Sequence, residues 1–140
     1  MSRPIGVWRA GLAVAGVAAV ANLIVFVVAK WAGTAFVVSF PDKPPQDVNA
    51  LTVLLFTVAA VLVGTALAAW AVRSVRRGLR VARIAAAVLT VASLVVPLSV
   101  EASTATKVSL ATMHVLGGAI FVLGMGFVRD RSEASTAVRI

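Results

Sequence analysis

The stretch ALTVLLFTVAAVLVGTALAAWAVRSVRRGLRVAR, residues 50–83, decides the fold. Its first part, Ala50 to Val72, carries no charge and, at 1.5 Å of rise per residue, is long enough as a helix to cross the ~30 Å hydrocarbon core of a bilayer. Its second part gathers Arg73, Arg76, Arg77, Arg80 and Arg83 around a short loop. A long apolar run that ends in arginines reads as a spanning helix anchored on the side of the membrane that retains positive charge.

Working outward, three further apolar runs appear, from Ile5 to Ala29, Val81 to Val100 and Val108 to Val128. Inside lipid every backbone N–H and C=O must be paired within the segment or in a closed barrel, and these continuous runs lack the alternation of barrel strands. The expected fold is therefore an all-α membrane protein, an up-and-down bundle of four transmembrane helices at about residues 5–29, 50–72, 81–100 and 108–128. It forms a single domain with a cytoplasmic tail over 129–140. The first run follows Arg3 and contains Arg9, but its apolar core exceeds the roughly 7–15 residues of a cleaved signal peptide, so it is read as a span.

Composition agrees. The chain of 140 residues is 61% hydrophobic, well above the roughly 45–50% of soluble domains. A net charge of +8 would fit nucleic-acid binding only with a soluble, aromatic-studded basic face. Here the charges lie between apolar runs, which points to the membrane surface and its anionic headgroups, with no nucleic acid. The absence of cysteine excludes disulfides, thiolate metal sites and palmitoylation.

Every arginine falls on one side of a four-span chain: Arg3 and Arg9, the loop from Arg73 to Arg83, and Arg129, Arg131 and Arg139. The other side holds Lys30, Lys43 and Lys107, offset by Asp42, Asp47 and Glu101. The positive-inside rule then places both termini and the arginine loop in the cytoplasm of a plasma-membrane protein. The first outer loop, Gly33 to Asn49, combines Phe36, Val37, Val38 and Phe40 with Pro41, Pro44 and Pro45. It reads as an interfacial flap with a proline-fixed turn, and Asp47 or Asn49 caps the next helix. Trp8, Trp31 and Trp70 fall near helix ends, where indole rings anchor in the headgroup region.

Small residues mark the packing faces, since helices in lipid associate through close backbone approach. The stripes are Gly11, Ala15, Ala18 and Asn22; Thr57, Ala60, Gly64 and Ala68; Ala86, Thr90, Ser93 and Pro97; and Ala111, His114, Gly117 or Gly118, Phe121 and Met125.

Four residues stand out as candidate ligand or interhelical groups. His114, the single histidine, is an ionisable group in a spanning run and is expected to face the interior or a wet cavity, with Glu101 and Lys107 nearby in the outer loop. Its bland alternative is a neutral ring bonded to a neighbouring helix. Asn22 must find a partner across a helix interface and reads as interhelical glue. Pro97 removes the bond that the Ser93 carbonyl would accept, so a bend at Ser93, beside Glu101, would shape a small outer pocket. No haem is expected, because beside His114 only Met113, Met125 or a second copy could supply a second axial ligand. No phosphate loop, zinc pair or nucleophile elbow occurs, and no carboxylate lies deep in a span, so no catalytic residue, metal or cofactor is assigned.

The whole-chain layout, the Ala/Val/Arg-rich composition and Thr112-Met113-His114 followed by Gly117-Gly118 resemble a family of small four-helix membrane proteins of unknown function found in actinobacteria. The resemblance implies fold and location and no activity. The expected role is a non-enzymatic accessory or interaction subunit that binds another membrane protein or a lipid. The alternative is a homo-oligomeric small-molecule binder or transporter with an outward-facing pocket near His114.

Overall fold

The computed structural model describes residues 4–75 and 77–137, with side chains over 6–75 and 77–127; Arg3, Arg76 and Arg139 lie outside the described residues. Helix α1 spans Pro4–Trp31, β1 Val37–Val38, β2 Gln46–Asp47, α2 Ala50–Ser74, α3 Gly78–Ser93, α4 Val95–Ser99 and α5 Thr104–Ala137. Four segments are long and apolar enough to cross a membrane: Gly6–Trp31, Ala50–Ser74, Gly78–Ser99 and Thr104–Phe127. The shortest, at 22 residues, rises about 33 Å. The chain is a multi-pass membrane protein.

Local chemistry sets the ends. Proline starts α1, where a missing N–H costs nothing. The Asn49 Oδ1 accepts from the Thr52 amide at 2.9 Å and so caps α2. The turn into α3 is tight because Gly78 donates to the Val75 carbonyl at 2.9 Å, and a side chain on Gly78 would collide with the Ala71 carbonyl. Pro97 breaks the third span into α3 and α4, with Leu94 donating to the Val91 carbonyl in a tightened turn. The expected bend at Ser93 is thus a break. The segment from 129, expected as a tail, continues α5 to Ala137.

The helices pack α1 against α2 and α5, and α3 against α2 and α5. Each of these pairs is antiparallel. Gly11 meets Thr65 while Asn22 meets Thr57, and Val14 meets Gly124 while Asn22 meets Gly117. Arg83 reaches Gly126 while Thr90 meets Gly118. At Gly11 and Gly118 the backbones approach so closely that a methyl group would strike the threonine opposite, which is the small-residue packing that lipid-embedded helices use.

Two apolar clusters fill the interior. One, at the arginine end, includes Val7, Val14, Ala18, Val61, Leu79, Phe121 and Met125. The other joins Phe26, Phe36, Val53 and Met113 at the opposite end. There the loop between α1 and α2 folds inward. Gly33, at φ 90°, turns the chain; β1 pairs antiparallel with β2; and Ser39 bridges Glu101. Phe36 is fully buried at φ 56°, an unfavourable conformation for a bulky residue. It is held by packing on Phe26, with ring centroids 4.7 Å apart, and by the Val48 amide donating to its carbonyl at 2.8 Å. The loop therefore acts as a plug on this end of the helices through Phe36.

Candidate functional site

Asn22 of α1 and Thr57 of α2 meet between the two apolar clusters. Asn22 is buried, and its Nδ2 donates to the Thr57 hydroxyl at 2.9 Å. Its Oδ1 is buried without a partner among the described residues. Exchanging the two ends of the amide moves the deficit to the nitrogen without removing it. Gly117 leaves room beside the amide, since a methyl there would stand 3.7 Å from Nδ2. Other hydroxyls fold back on their own helices: Thr65 on Val61, Thr90 on Ala86, and Ser93 on the Thr90 carbonyl at 2.8 Å. Ser93 therefore folds back on the last turn of α3.

His114 departs from its expected position. It lies on the exposed face of α5, while Met113 takes the inward place on the stripe. One residue of rotation, 100° on a helix, separates the two. Its Nδ1 is 2.8 Å from the Leu110 carbonyl; because a carbonyl only accepts, Nδ1 carries the proton and Nε2 faces outward. Its expected neighbours make other contacts. Glu101 is exposed and joins Ser39 through backbone bonds of 2.9 and 3.3 Å, and Lys107 Nζ donates to the Leu98 carbonyl at 3.2 Å.

At the opposite end the arginines separate into two groups. Arg73, Arg77 and Arg80 are exposed, whereas Arg83 is half-buried and its Nε donates to the Val122 carbonyl of α5 at 3.1 Å. A methyl on Gly126 would stand 3.4 Å from the Arg83 Cζ, so glycine gives the flat guanidinium its seat. Leu79, Arg80, Arg83, Ile84, Ala87 and Val122 line a cleft of about 340 Å³ between α3 and α5. Among the described residues no three histidine or acidic side chains come together as a metal cage.

Over residues 2–131 the chain matches a family of unknown function. The chain belongs to the DUF6069 family. No curated protein and no solved structure matches it. In this DUF6069 member the Asn22–Thr57 pair lies between the two apolar clusters and the arginine cleft at one end of α3. The Asn22 stripe was readable from the sequence. Thr57 was placed on the right face, but the buried threonine opposite Gly11 is Thr65, and Ala60 of the expected stripe is exposed. The Arg83 bond to α5 had one trace in the sequence, an arginine set deeper into its span than its neighbours.

Proposed function

We propose that this DUF6069 protein is a non-enzymatic accessory subunit of the plasma membrane that binds another membrane protein through the outer half of α5. In this reading it is an up-and-down four-helix bundle with both termini cytoplasmic. The segregation of Arg73, Arg77, Arg80 and Arg83 from Lys30, Lys43 and Lys107 supports that orientation. The Ala/Val/Arg-rich composition supports an actinobacterial source.

His114 carries the reading. It stands ten residues into the span that begins at Thr104, about 15 Å along the helix axis, and so near the middle of the hydrocarbon. There its Nε2 faces away from the chain. A polar nitrogen presented to lipid is costly, and ionisable groups in spans face protein or water. A neighbouring helix bearing a hydroxyl or N–H donor would pair with Nε2 and remove that cost.

The cysteine-free chain makes the test direct. Val115, beside His114 and exposed, is replaced by cysteine and cross-linked in native membranes, with Leu12→Cys on the exposed face of α1 as control. A cross-link at residue 115 alone, to one different protein in fixed ratio, is the expected result. A product containing only two copies of this chain would refute the accessory role. It would favour the homo-oligomeric binder, whose pocket near His114 would then form between copies.

A further inference from the structure

The cleft at the arginine end of α3 and α5 takes no part in lateral docking through His114, yet it combines a basic rim with an apolar floor. Arg80 and Arg83 form the rim, and Leu79, Ile84, Ala87 and Val122 the floor. Arg83 is held in place: Nε is bonded to the Val122 carbonyl at 3.1 Å and the guanidinium lies against Gly126. Nε makes the only side-chain bond of Arg83 among the described residues, and Arg83 lines the cleft. Among the described residues no acidic side chain lines the space. The first turn of α3 begins here, and Arg77, its N-cap, makes no side-chain cap bond, so the partial positive charge of the helix start adds to that of the arginines.

We propose that this cleft holds one anionic phospholipid, with its phosphate on Arg80 and Arg83 and one acyl chain along Leu79, Ile84, Ala87 and Val122. The assignment rests on the cytoplasmic placement of the α2–α3 turn proposed above, because that leaflet carries the anionic lipids. Depth fits the ligand. Arg83 lies five residues into α3, about 7 Å of rise, within reach of a headgroup phosphate for a side chain that runs its stem along apolar surface. A free phosphate would satisfy the rim and leave the floor bare. A choline headgroup would bring a cation against two arginines. Basic pockets between spanning helices on the cytoplasmic side are suited to acidic headgroups for the same electrostatic reason.

The test is native mass spectrometry of the full chain released from vesicles of phosphatidylglycerol and phosphatidylcholine in equal parts. One phosphatidylglycerol per chain is expected to be retained in preference to phosphatidylcholine. Arg80→Gln/Arg83→Gln should weaken retention about 30-fold, whereas Arg73→Gln/Arg77→Gln, with the same loss of charge outside the cleft, should change it by less than about 3-fold. Arg80→Gln alone, at an exposed position, provides the same comparison should the double variant misfold. Ala87→Trp fills the floor without altering charge and should also release the lipid. Equal losses from the two arginine pairs, or equal retention of phosphatidylcholine, would overturn the site. So would retention that survives Ala87→Trp and yields to millimolar inorganic phosphate, which would mark a free-anion site. Failure of the orientation reads differently: a cysteine at Ser74 would then be labelled from outside the cell. Failure of the accessory role appears only in the cross-linking at residue 115.

Discussion

Replacing Asn22 by leucine should stabilise the protein, because half of the amide is already unsatisfied. The substitution gives up the bond from Nδ2 to Thr57 Oγ1 at 2.9 Å, and interhelical hydrogen bonds in membranes average about 0.6 kcal/mol. It also removes Oδ1, which is buried without a partner among the described residues and carries a desolvation cost of about 1–3 kcal/mol. The difference is a net gain of about 1 kcal/mol for a side chain with the same number and branching of heavy atoms. Thr57→Val works the other way: it strands Nδ2 as well and should cost about 1–3 kcal/mol in the parent chain. In the Asn22→Leu background the same change should cost under about 0.5 kcal/mol, a coupling that identifies the pair as the origin. Reversible unfolding in bicelles, followed by steric trapping, measures all four variants. Loss of more than about 1 kcal/mol from Asn22→Leu would refute the reasoning, and would mean that a donor from outside this chain pairs with Oδ1.

Gly118→Ala would set a methyl 2.7 Å from the Thr90 Cβ and should cost about 1–3 kcal/mol in thermal unfolding, with most of the loss restored by adding Thr90→Ala. Phe36→Ala should destabilise by about 3 kcal/mol, since it empties the outer cluster, and should speed proteolysis at the exposed Lys43. A cysteine at Ser74 should be labelled only from the cytoplasmic side and one at Asp42 only from outside; the reverse pattern would invert the topology. His114→Leu should leave unfolding unchanged and abolish the cross-link from Val115→Cys to a partner protein, while an unchanged cross-link would remove His114 from the interface.

The spans were legible because membrane crossing is written in long local runs, and each expected run lies within an observed helical segment to within a few residues. The interior face of α1 was legible too, since Gly11, Ala15, Ala18 and Asn22 share one stripe and all are buried. Where two candidate residues sit side by side, a single sequence does not say which turns inward. His114 and Met113 show this: the polar residue suited the expected interior, yet the unbranched thioether fills it. The same ambiguity moved the α2 stripe from Ala60 to Val61 and Thr65. The plug was missed for another reason. Phe36 adopts a left-handed conformation that no local preference predicts and that its packing with Phe26, Val53 and Met113 and the bond from the Val48 amide sustain.

The third span has the least of its surface covered by the rest of the chain, and only Gly78 and Leu79 of α3 are buried. Two contacts to α5 stand out in holding it: Thr90 against Gly118 at mid-depth, and Arg83 on the Val122 carbonyl near the arginine end. An acidic headgroup on Arg83 would restrain the guanidinium that makes the second contact, so lipid binding and the docking of α3 should be linked. By mass action a ligand present at 100 times its Kd adds about 2.7 kcal/mol to the stability of the state that binds it. Phosphatidylglycerol should therefore raise the unfolding stability of the parent chain by up to that amount, and that of Arg80→Gln/Arg83→Gln, which binds about 30-fold more weakly, by only about 0.9 kcal/mol. A rise of equal size in both would assign the effect to the bilayer as a solvent for all four helices, and the cleft would lose its claim to it.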